Sequence, residues 1–138
     1  MKILEWKQDY NLNIAHIDGQ HSKIVDYINQ IRIAAGSDEK TDIIYDTLNS
    51  LREYSQNHFR EEEFLMKENN YNKLEEHINQ HNYFISRITD IRLKLKKKEP
   101  VLLVELTAFL FGWLIKHICI EDKKYAEHIK ANEIRPNI

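Results

Sequence analysis

At 138 residues with a formal net charge of −2, the chain suits one hydrophobic core and has no overall attraction to nucleic acid or to acidic membranes. Its three glycines and two prolines are too few for a turn-rich β protein and favour long helices. The single cysteine, Cys119, excludes an internal disulfide. The first twenty residues lack a signal peptide's apolar core, and no apolar run reaches the roughly 18 residues of a membrane span. We therefore expect a soluble, cytoplasmic protein.

Residues 1–17 form the first segment, in which apolar residues such as Trp6 and Tyr10 nearly alternate with polar ones. The pattern has no helical period and predicts an extended arm that lies on the domain and buries its aromatic rings. A disordered tail is the alternative, but the segment is too apolar to favour it. Asp18 is the expected N-cap of the first helix, because its side chain can accept hydrogen bonds from the free N–H groups there.

Four longer segments carry apolar residues at steps of three and four, the spacing of one face of an amphipathic helix. Gly36 ends the first, and the second is expected to begin near Ser37 or Asp38. The polar residues 68–72 predict a tight turn before the third, and Pro100 follows the end of the third. In chain order, the stripe residues are His21, Ile24, Ile28, Ile31 and Ala35; Ile44, Leu48, Leu51, Ser55, His58, Glu62 and Leu65; Leu74, His77, His81, Phe84, Ile88, Ile91 and Leu95; and Leu103, Leu106, Leu110, Trp113, His117 and Ile120.

Short connections between these helices make neighbouring helices run in opposite directions. We therefore predict an all-α fold: an antiparallel up-down-up-down four-helix bundle with an extended N-terminal arm and a short C-terminal helix that packs through Tyr125 and Ile129. We expect a single domain, residues 1–138, with the arm at 1–17, the bundle and short C-terminal helix at 18–131, and a tail at 132–138.

Five histidines and a glutamate occupy core positions on these stripes, and all four helices contribute. They are His21, His58, Glu62, His77, His81 and His117. In an up-down-up-down bundle the starts of the first and third helices and the ends of the second and fourth lie at one end, so all six are expected to converge there. One core histidine is usually a satisfied structural residue. A buried glutamate needs a partner, however, and five histidines around it indicate a metal site.

Asp122 is a seventh candidate ligand, five residues after His117. In a regular α-helix, five residues leave about 140° between two side chains, so these two would not share a face. We therefore predict a local irregularity between Ile118 and Asp122, either an i,i+5 π-type turn or entry of Asp122 from the helix end. A regular helix with Asp122 in solvent would exclude Asp122 as a ligand.

Seven nitrogen and oxygen ligands exceed the four of a structural zinc site and suit two adjacent metal ions. Imidazole and carboxylate are compatible with iron, manganese, zinc or copper, so the spacing leaves the metal open. If Glu62 and Asp122 each bridge both metals together with a solvent-derived oxygen, the five histidines divide as three and two. One metal then keeps an open position, which suits a small diatomic or anionic ligand.

Four blocks of the sequence resemble the hemerythrin family, in particular its single-domain bacterial members. The blocks are DGQH (18–21), HFREEEFLM (58–66), HINQH (77–81) and WLIKHICIED (113–122). Together they extend over nearly the whole chain and fill all seven ligand positions. The resemblance implies a non-haem di-iron centre that binds dioxygen reversibly.

The resemblance also implies a role for each ligand residue. By this resemblance, Glu62, Asp122 and an oxo or hydroxo group are expected to bridge two iron ions. The three histidines of the saturated iron are His77, His81 and His117. The iron with the open position takes His21 and His58.

A reversible carrier needs a dry pocket, because water and protons promote the irreversible loss of reduced oxygen. Six apolar or aromatic residues adjacent to ligands are candidates for its lining: Phe59, Phe84, Trp113, Leu114, Ile118 and Tyr125. Each taken singly is more often an ordinary core residue. Leu114 stands one turn before His117 and matches a family position that lines the oxygen site, so it is the strongest candidate.

Reversible dioxygen binding for storage, delivery or scavenging is the function that the resemblance favours. A sensor of oxygen or redox state that acts through a separate protein partner is one alternative, and a di-iron enzyme that handles peroxide or nitric oxide is another. Ferritin-like oxidases use Glu-x-x-His motifs, and none occurs in this chain, so we expect that the protein is not an enzyme. Dioxygen is the expected partner, and a monomer is expected, with an oligomer as the alternative.

Five further residues are set apart from the ligand set. His16 and His128 are expected to be exposed or to cap helices, Glu61 and Glu63 to point to solvent, and Cys119 to be a small buried residue rather than a thiol sensor. Outer carboxylates commonly orient ligand histidines, but the sequence does not identify one.

Overall fold

The computed structural model describes residues 4–36 and 41–134, which contain helices and no strand. A 3₁₀ turn, Gln8–Tyr10, precedes the first long helix. The five α-helices are α1 (Ala15–Ala35), α2 (Thr41–Glu68), α3 (Leu74–Lys96), α4 (Leu103–Lys116) and α5 (Lys123–Ile134). A π-helical segment, His117–Asp122, joins α4 to α5.

The helices pack as an antiparallel bundle in which α1 contacts both α2 and α4, and α2 contacts α3. α3 and α4 meet through aromatic rings. Phe84 and Trp113 are stacked with their ring centroids 4.4 Å apart, and Phe109 lies 6.0 Å from Phe84. The predicted four-helix bundle with a short C-terminal helix is therefore confirmed.

The apolar stripes of the helices meet in one core, and most of the predicted stripe residues are buried. Six predicted stripe residues are only half-buried, and Ile120 is exposed; the six are Ala35, Leu65, Leu74, Ile91, Leu103 and Trp113. At the end of α2 the fully buried residue is Met66, and Leu65 is only half-buried. After α4, Ile118 is buried while Ile120 is 45% exposed, because the π-helical segment changes which residues face the core.

The N-terminal arm lies along α1 and is held there by side-chain hydrogen bonds. Asn29 of α1 accepts a hydrogen bond from the backbone N–H of Leu4 at 2.8 Å and donates one to its carbonyl at 2.7 Å. Trp6 donates from Nε1 to the side chain of Asn11 at 2.9 Å. The arm is not extended throughout, since the 3₁₀ turn lies in its middle.

Asp18 does not cap α1, because the helix begins at Ala15, three residues earlier. Its carboxylate instead accepts hydrogen bonds from the backbone N–H groups of Leu12 and Asn13, at 2.7 and 3.0 Å. Asn13 has a left-handed backbone, with φ 63°. Asp18 therefore stabilises the bend by which the arm enters α1.

Two predicted boundaries fall near the limits of the described residues. The predicted start of the second helix, at Ser37 or Asp38, lies outside them, and α2 is described from Thr41. The C-terminal helix continues to Ile134, past the predicted end at residue 131. The rest of the predicted tail, 135–138, lies outside the described residues.

The turn between α2 and α3 closes the hairpin that carries four of the candidate ligands. Asn70 adopts a left-handed conformation with φ 54°. The backbone N–H of Asn70 bonds to the carbonyl of Lys67 at 3.1 Å, and that of Tyr71 bonds to the carbonyl of Met66 at 3.0 Å. This pair of bonds is a Schellman motif, and asparagine tolerates its left-handed position well.

The end of α3 uses the same motif with a less suitable residue. Lys98 has φ 58°, a conformation that costs a residue with a Cβ about 1–2 kcal/mol. We expect Lys98→Gly to raise the free energy of unfolding by about 0.5–1 kcal/mol, since glycine adopts this conformation freely but also gains entropy in the unfolded chain. Urea unfolding would measure the change. Lys97→Gly is the matched control, because φ is −82° at Lys97 and glycine relieves nothing there.

One continuous helical stretch among the described residues, Leu103–Glu133, is long and apolar enough to cross a membrane by length and composition. A core helix of a soluble protein meets the same criterion. Within this stretch His117 and Asp122 are buried, and Asp122 contacts His21 of α1 and His77 of α3. The stretch is therefore packed as a core helix of the bundle.

Candidate metal centre

The structure brings all seven predicted ligand residues together at one end of the bundle. Their side chains are at most 4% exposed. Each helix places its contribution near the end that the antiparallel order predicts. The residues are His21 from α1, His58 and Glu62 from α2, His77 and His81 from α3, and His117 and Asp122 from the π-helical segment.

Asp122 reaches this cluster because the chain from His117 to Asp122 is π-helical. An i,i+5 turn places residues five apart on one face, where a regular α-helix would separate them by about 140°. Both side chains are buried, and Oδ1 of Asp122 lies 3.1 Å from Nε2 of His117. The predicted irregularity is confirmed, in its π-turn form.

The ligand atoms form two groups, within each of which all atoms lie within 4.8 Å of one another. One group contains His77, His81, His117 and Asp122, and the other contains His21, His58 and Glu62. The histidines thus divide as three and two, the division obtained when both carboxylates bridge.

Asp122 touches both groups. Its Oδ1 is 2.8 Å from Nε2 of His77, and its Oδ2 is 3.2 Å from Nε2 of His21. The carboxylate therefore spans the space between the three-histidine and two-histidine groups, as a bridging ligand would.

Glu62 also touches both groups. Its Oε1 is 2.6 Å from Nε2 of His58 and 3.8 Å from Nε2 of His81, and its Oε2 is 3.7 Å from Nε2 of His21. All five imidazoles therefore present Nε2 to the carboxylates. Two adjacent ligand atoms, each about 2.1 Å from a shared metal, stand about 3 Å apart, so these separations suit metal coordination.

Burial makes this cluster of charges costly without a compensating cation. Burial raises the pKa of Asp122, but the charge and hydrogen bond of His117 outweigh it and hold that pKa well below its usual range. Burial and Asp122 raise the pKa of Glu62, but His58 and His21 outweigh them and lower it. Burial lowers the pKa of His21, yet hydrogen bonds to the two carboxylates raise it to about 10. Both carboxylates are therefore anions, and with no metal bound the protonated imidazole of His21 supplies part of the positive charge that balances them.

Four buried atoms of the cluster lie 2.6–3.8 Å from another ligand atom but make no hydrogen bond of good geometry. They are Nε2 of His58, Oε1 of Glu62, Nε2 of His81 and Oδ2 of Asp122. An unsatisfied buried polar atom costs about 1–3 kcal/mol, so four at one place need an explanation. Metal ions among them satisfy all four, and imidazole with carboxylate is a donor set that suits iron.

Tyr125 of α5 is fully buried and donates a hydrogen bond to Oε2 of Glu62 at 2.5 Å. Burial and the charges of Glu62 and Asp122 raise the pKa of its hydroxyl, so it stays protonated and remains a donor. It was predicted as a packing residue of the C-terminal helix and as pocket lining. The structure shows in addition that it fixes a carboxylate of the centre.

Two of the other predicted pocket residues stack on ligand imidazoles. Phe59 stacks on the imidazole of His81 at 3.9 Å between ring centroids, and Trp113 stacks on that of His117 at 4.5 Å. Phe59, Phe84, Leu114 and Ile118 are buried, and Trp113 is half-buried.

Two outer hydrogen bonds to ligand imidazoles were missed from the sequence. Nδ1 of His58 bonds to Oε1 of Gln20 at 2.5 Å, and Nδ1 of His81 bonds to Oε2 of Glu63 at 2.8 Å. The prediction that Glu63 points to solvent is wrong, since its side chain is 25% exposed and turns toward α3. Glu61 is exposed as predicted, and it bonds to Gln20.

The remaining residues that were set apart take ordinary places. His16 is exposed. His128 was predicted to be exposed or to cap a helix. Its Nε2 lies 2.7 Å from the carbonyl of Asn69, just after the end of α2, so it caps that helix. Cys119 is half-buried rather than buried.

Comparison with known proteins agrees with this geometry. Residues 12–129 match the family model described as the hemerythrin HHE cation binding domain. The chain is 33% identical over 132 residues to a bacteriohemerythrin of Stenotrophomonas maltophilia, covering 96% of this chain and 85% of that protein. It is 29% identical over 126 residues to a bacteriohemerythrin of Clostridium acetobutylicum, covering 88% of this chain and 98% of that protein.

Among solved structures, wild-type hemerythrin superposes with a TM-score of 0.84 at 26% sequence identity, covering 91% of this chain and 97% of that one. The region matched by the family model contains α1 to α4 and all seven candidate ligands. The chain therefore belongs to the hemerythrin family.

Proposed function

We propose that the protein binds dioxygen reversibly at a non-haem di-iron centre, for storage, delivery or scavenging of oxygen. The observation that carries the proposal is the convergence of five Nε2 atoms on two buried carboxylates, with the histidines divided as three and two. Family membership supports iron as the metal.

The residues that would hold the irons follow from the two groups. The three-histidine iron would take His77, His81 and His117, and the two-histidine iron would take His21 and His58. Glu62 and Asp122 would bridge the two, together with an oxo or hydroxo group. When bound, the irons supply the electrons and the open coordination position by which dioxygen is taken up and given back.

The protein's own part is to exclude water and to hold protons in place. Phe59, which stacks on His81, and the buried Leu114 and Ile118, which are close to His117 in the chain, would surround the centre with apolar surface and keep out the water that promotes irreversible oxidation. The hydroxyl of Tyr125 keeps its proton, donates a hydrogen bond to Glu62 and fixes the orientation of that carboxylate.

Leu114→Ala is expected to speed autoxidation several-fold, because a smaller side chain leaves room for water beside the two-histidine iron. Stopped-flow spectroscopy of the oxygenated protein would measure the rate. Leu106→Ala is the matched control. It removes the same atoms from another buried position of the same helix, about 16 Å from His117 along the axis. Equal autoxidation rates in the Leu114 variant and the wild type would contradict Leu114 as a pocket residue.

The proposed function is tested by reducing the protein anaerobically, exposing it to oxygen, and then removing the oxygen, with iron counted per chain. Two irons and an optical change that reverses when oxygen is removed would support a carrier. Rapid one-way oxidation would contradict it and favour the sensor or the enzyme. A wild-type protein that takes up fewer than two irons would contradict the centre itself.

We further propose that the protein acts in the cytoplasm as a monomer without enzymatic activity, and that dioxygen rather than nucleic acid or a membrane is its partner. The histidine-rich donor set supports the absence of enzymatic activity, because oxygen-activating ferritin-like enzymes surround their metals with carboxylates in Glu-x-x-His motifs, which this sequence lacks.

A further inference from the structure

Two ligand imidazoles, those of His58 and His81, form hydrogen bonds through Nδ1 to side chains outside the ligand cluster, and these two side chains differ in charge. His58 bonds through Nδ1 to the neutral amide of Gln20, at 2.5 Å. His81 bonds through Nδ1 to the carboxylate of Glu63, at 2.8 Å. The amide belongs to the two-histidine group and the carboxylate to the three-histidine group.

The amide of Gln20 is itself oriented by Glu61. The NH₂ group of Gln20 donates to Oε2 of Glu61, one turn beyond His58 on α2. A carboxylate can only accept, so the amide must turn its nitrogen to Glu61 and its oxygen to His58. His58 then carries its proton on Nδ1 and leaves the lone pair of Nε2 for the interior.

Glu63 sets the tautomer of His81 in the same way but directly, with no amide between the carboxylate and the ring. Its carboxylate accepts from Nδ1, which leaves the Nε2 lone pair facing Glu62. A carboxylate partner also draws the Nδ1 proton toward itself and makes Nε2 a stronger electron donor to a metal. An amide does so less, because a hydrogen bond to an ionised acceptor is roughly twice as strong as one to a neutral acceptor.

We propose that Gln20 with Glu61 on one side, and Glu63 on the other, are positioning residues that make the two metal sites electronically unequal. Glu63 makes the three-histidine site the more electron-rich and favours the oxidised state of its iron. The Gln20–Glu61 pair holds His58 in the required tautomer while keeping full negative charge away from its ring. Glu61 is exposed, so solvent screens its charge. The proposal rests on the proposed function, because it takes these histidines to hold iron.

Exchanging the two partners tests the asymmetry. Glu63→Gln is expected to shift the midpoint potential of the iron-loaded protein to a more positive value. The double variant Gln20→Glu with Glu61→Gln moves a carboxylate next to His58 at constant net charge, and is expected to shift the potential to a more negative value. Glu53→Gln, the same change of charge at an exposed position of α2, is the control and should leave the potential unchanged.

The role of Glu61 is tested by metal affinity. Glu61→Leu frees the amide of Gln20 and should weaken metal binding about 10-fold, within the range known for outer partners of ligand histidines. Glu61→Gln still offers a carbonyl oxygen to the amide and should restore most of that affinity. Equal affinities of the leucine variant and the wild type would overturn the positioning role.

A second measurement serves if Glu63→Gln fails to load iron. In the zinc-loaded wild type, which is diamagnetic, the Nδ1 proton of His81 should resonate at lower field than that of His58. Equal resonances, or an Nδ1 without a proton in either ring, would overturn the inference. If the wild type binds two irons and releases oxygen reversibly, but the midpoint potentials of Glu63→Gln and of the double variant do not shift in opposite directions, the inference is overturned and the proposed function stands. A wild type without two irons would overturn the proposed function instead.

Discussion

Asp122→Asn is expected to reduce iron from two per chain to at most one and to weaken metal binding by more than about 100-fold, beyond the range seen for outer partners. The substitution keeps the shape of the side chain, so the loss reports on charge and donor atoms. Asp122 is fully buried, and its two oxygens face His77 at 2.8 Å and His21 at 3.2 Å. An amide offers only one oxygen, is neutral, and turns an NH₂ group toward one of the two histidine groups.

Iron analysis and chelator competition would measure this effect, and circular dichroism would show that the variant is still helical. Asp90→Asn is the matched control, because Asp90 is an exposed aspartate of α3, outside the ligand cluster. Two tightly held irons in the Asp122 variant would show that Asp122 is not a bridging ligand, whatever its position in the structure.

Removal of the iron from the wild-type protein is expected to lower the unfolding temperature by roughly 10–20 °C. A ligand present at about 1,000 times its dissociation constant stabilises the fold by about 4 kcal/mol, and each kcal/mol shifts the unfolding temperature of a chain of this size by about 3–5 °C. The structural reason is that Glu62 and Asp122 are buried anions whose partners are imidazoles. Without metal, these imidazoles must take up protons inside the bundle to compensate.

Differential scanning calorimetry before and after anaerobic chelation would measure the shift. The Asp122→Asn variant provides the control, since a protein that holds little metal should change little when the chelator is added. An unfolding temperature that is the same with and without iron would indicate that the bundle, rather than the metal, provides nearly all of the stability at this end.

The fold was predictable because it depends on a local, periodic spacing of apolar residues. Residues such as Ile24, Ile28, Leu48 and Phe84 recur at helical spacing, and few glycines or prolines interrupt them. Short joints then leave the antiparallel order as the simplest arrangement. Helix boundaries were less predictable. Asp18 has the residue type of an N-cap, yet the helix begins at Ala15. The carboxylate of Asp18 instead accepts a hydrogen bond from the bend that precedes the helix, a use that the residue type does not distinguish from capping.

The two carboxylate neighbours Glu61 and Glu63 show where sequence reasoning ends. Both flank Glu62 on α2, and helix geometry turns each of them away from the ligand face. Whether such a side chain meets solvent or a neighbouring helix depends on where that helix lies. Glu63 lies against α3 and reaches His81, whereas Glu61 reaches Gln20 on α1.

The sequence by itself determined the helices, their order and the set of seven candidate ligands, since these follow from spacing along one chain. It also determined that a regular helix could not place Asp122 beside His117, but it left open whether a π turn or entry from the helix end does so, and the structure shows the π turn. Only the tertiary structure decided which oxygen faces which imidazole, that Tyr125 bonds to Glu62, and that His58 and His81 have outer partners of unlike charge. Those contacts join residues 18 to 63 positions apart, and their geometry depends on how the helices pack.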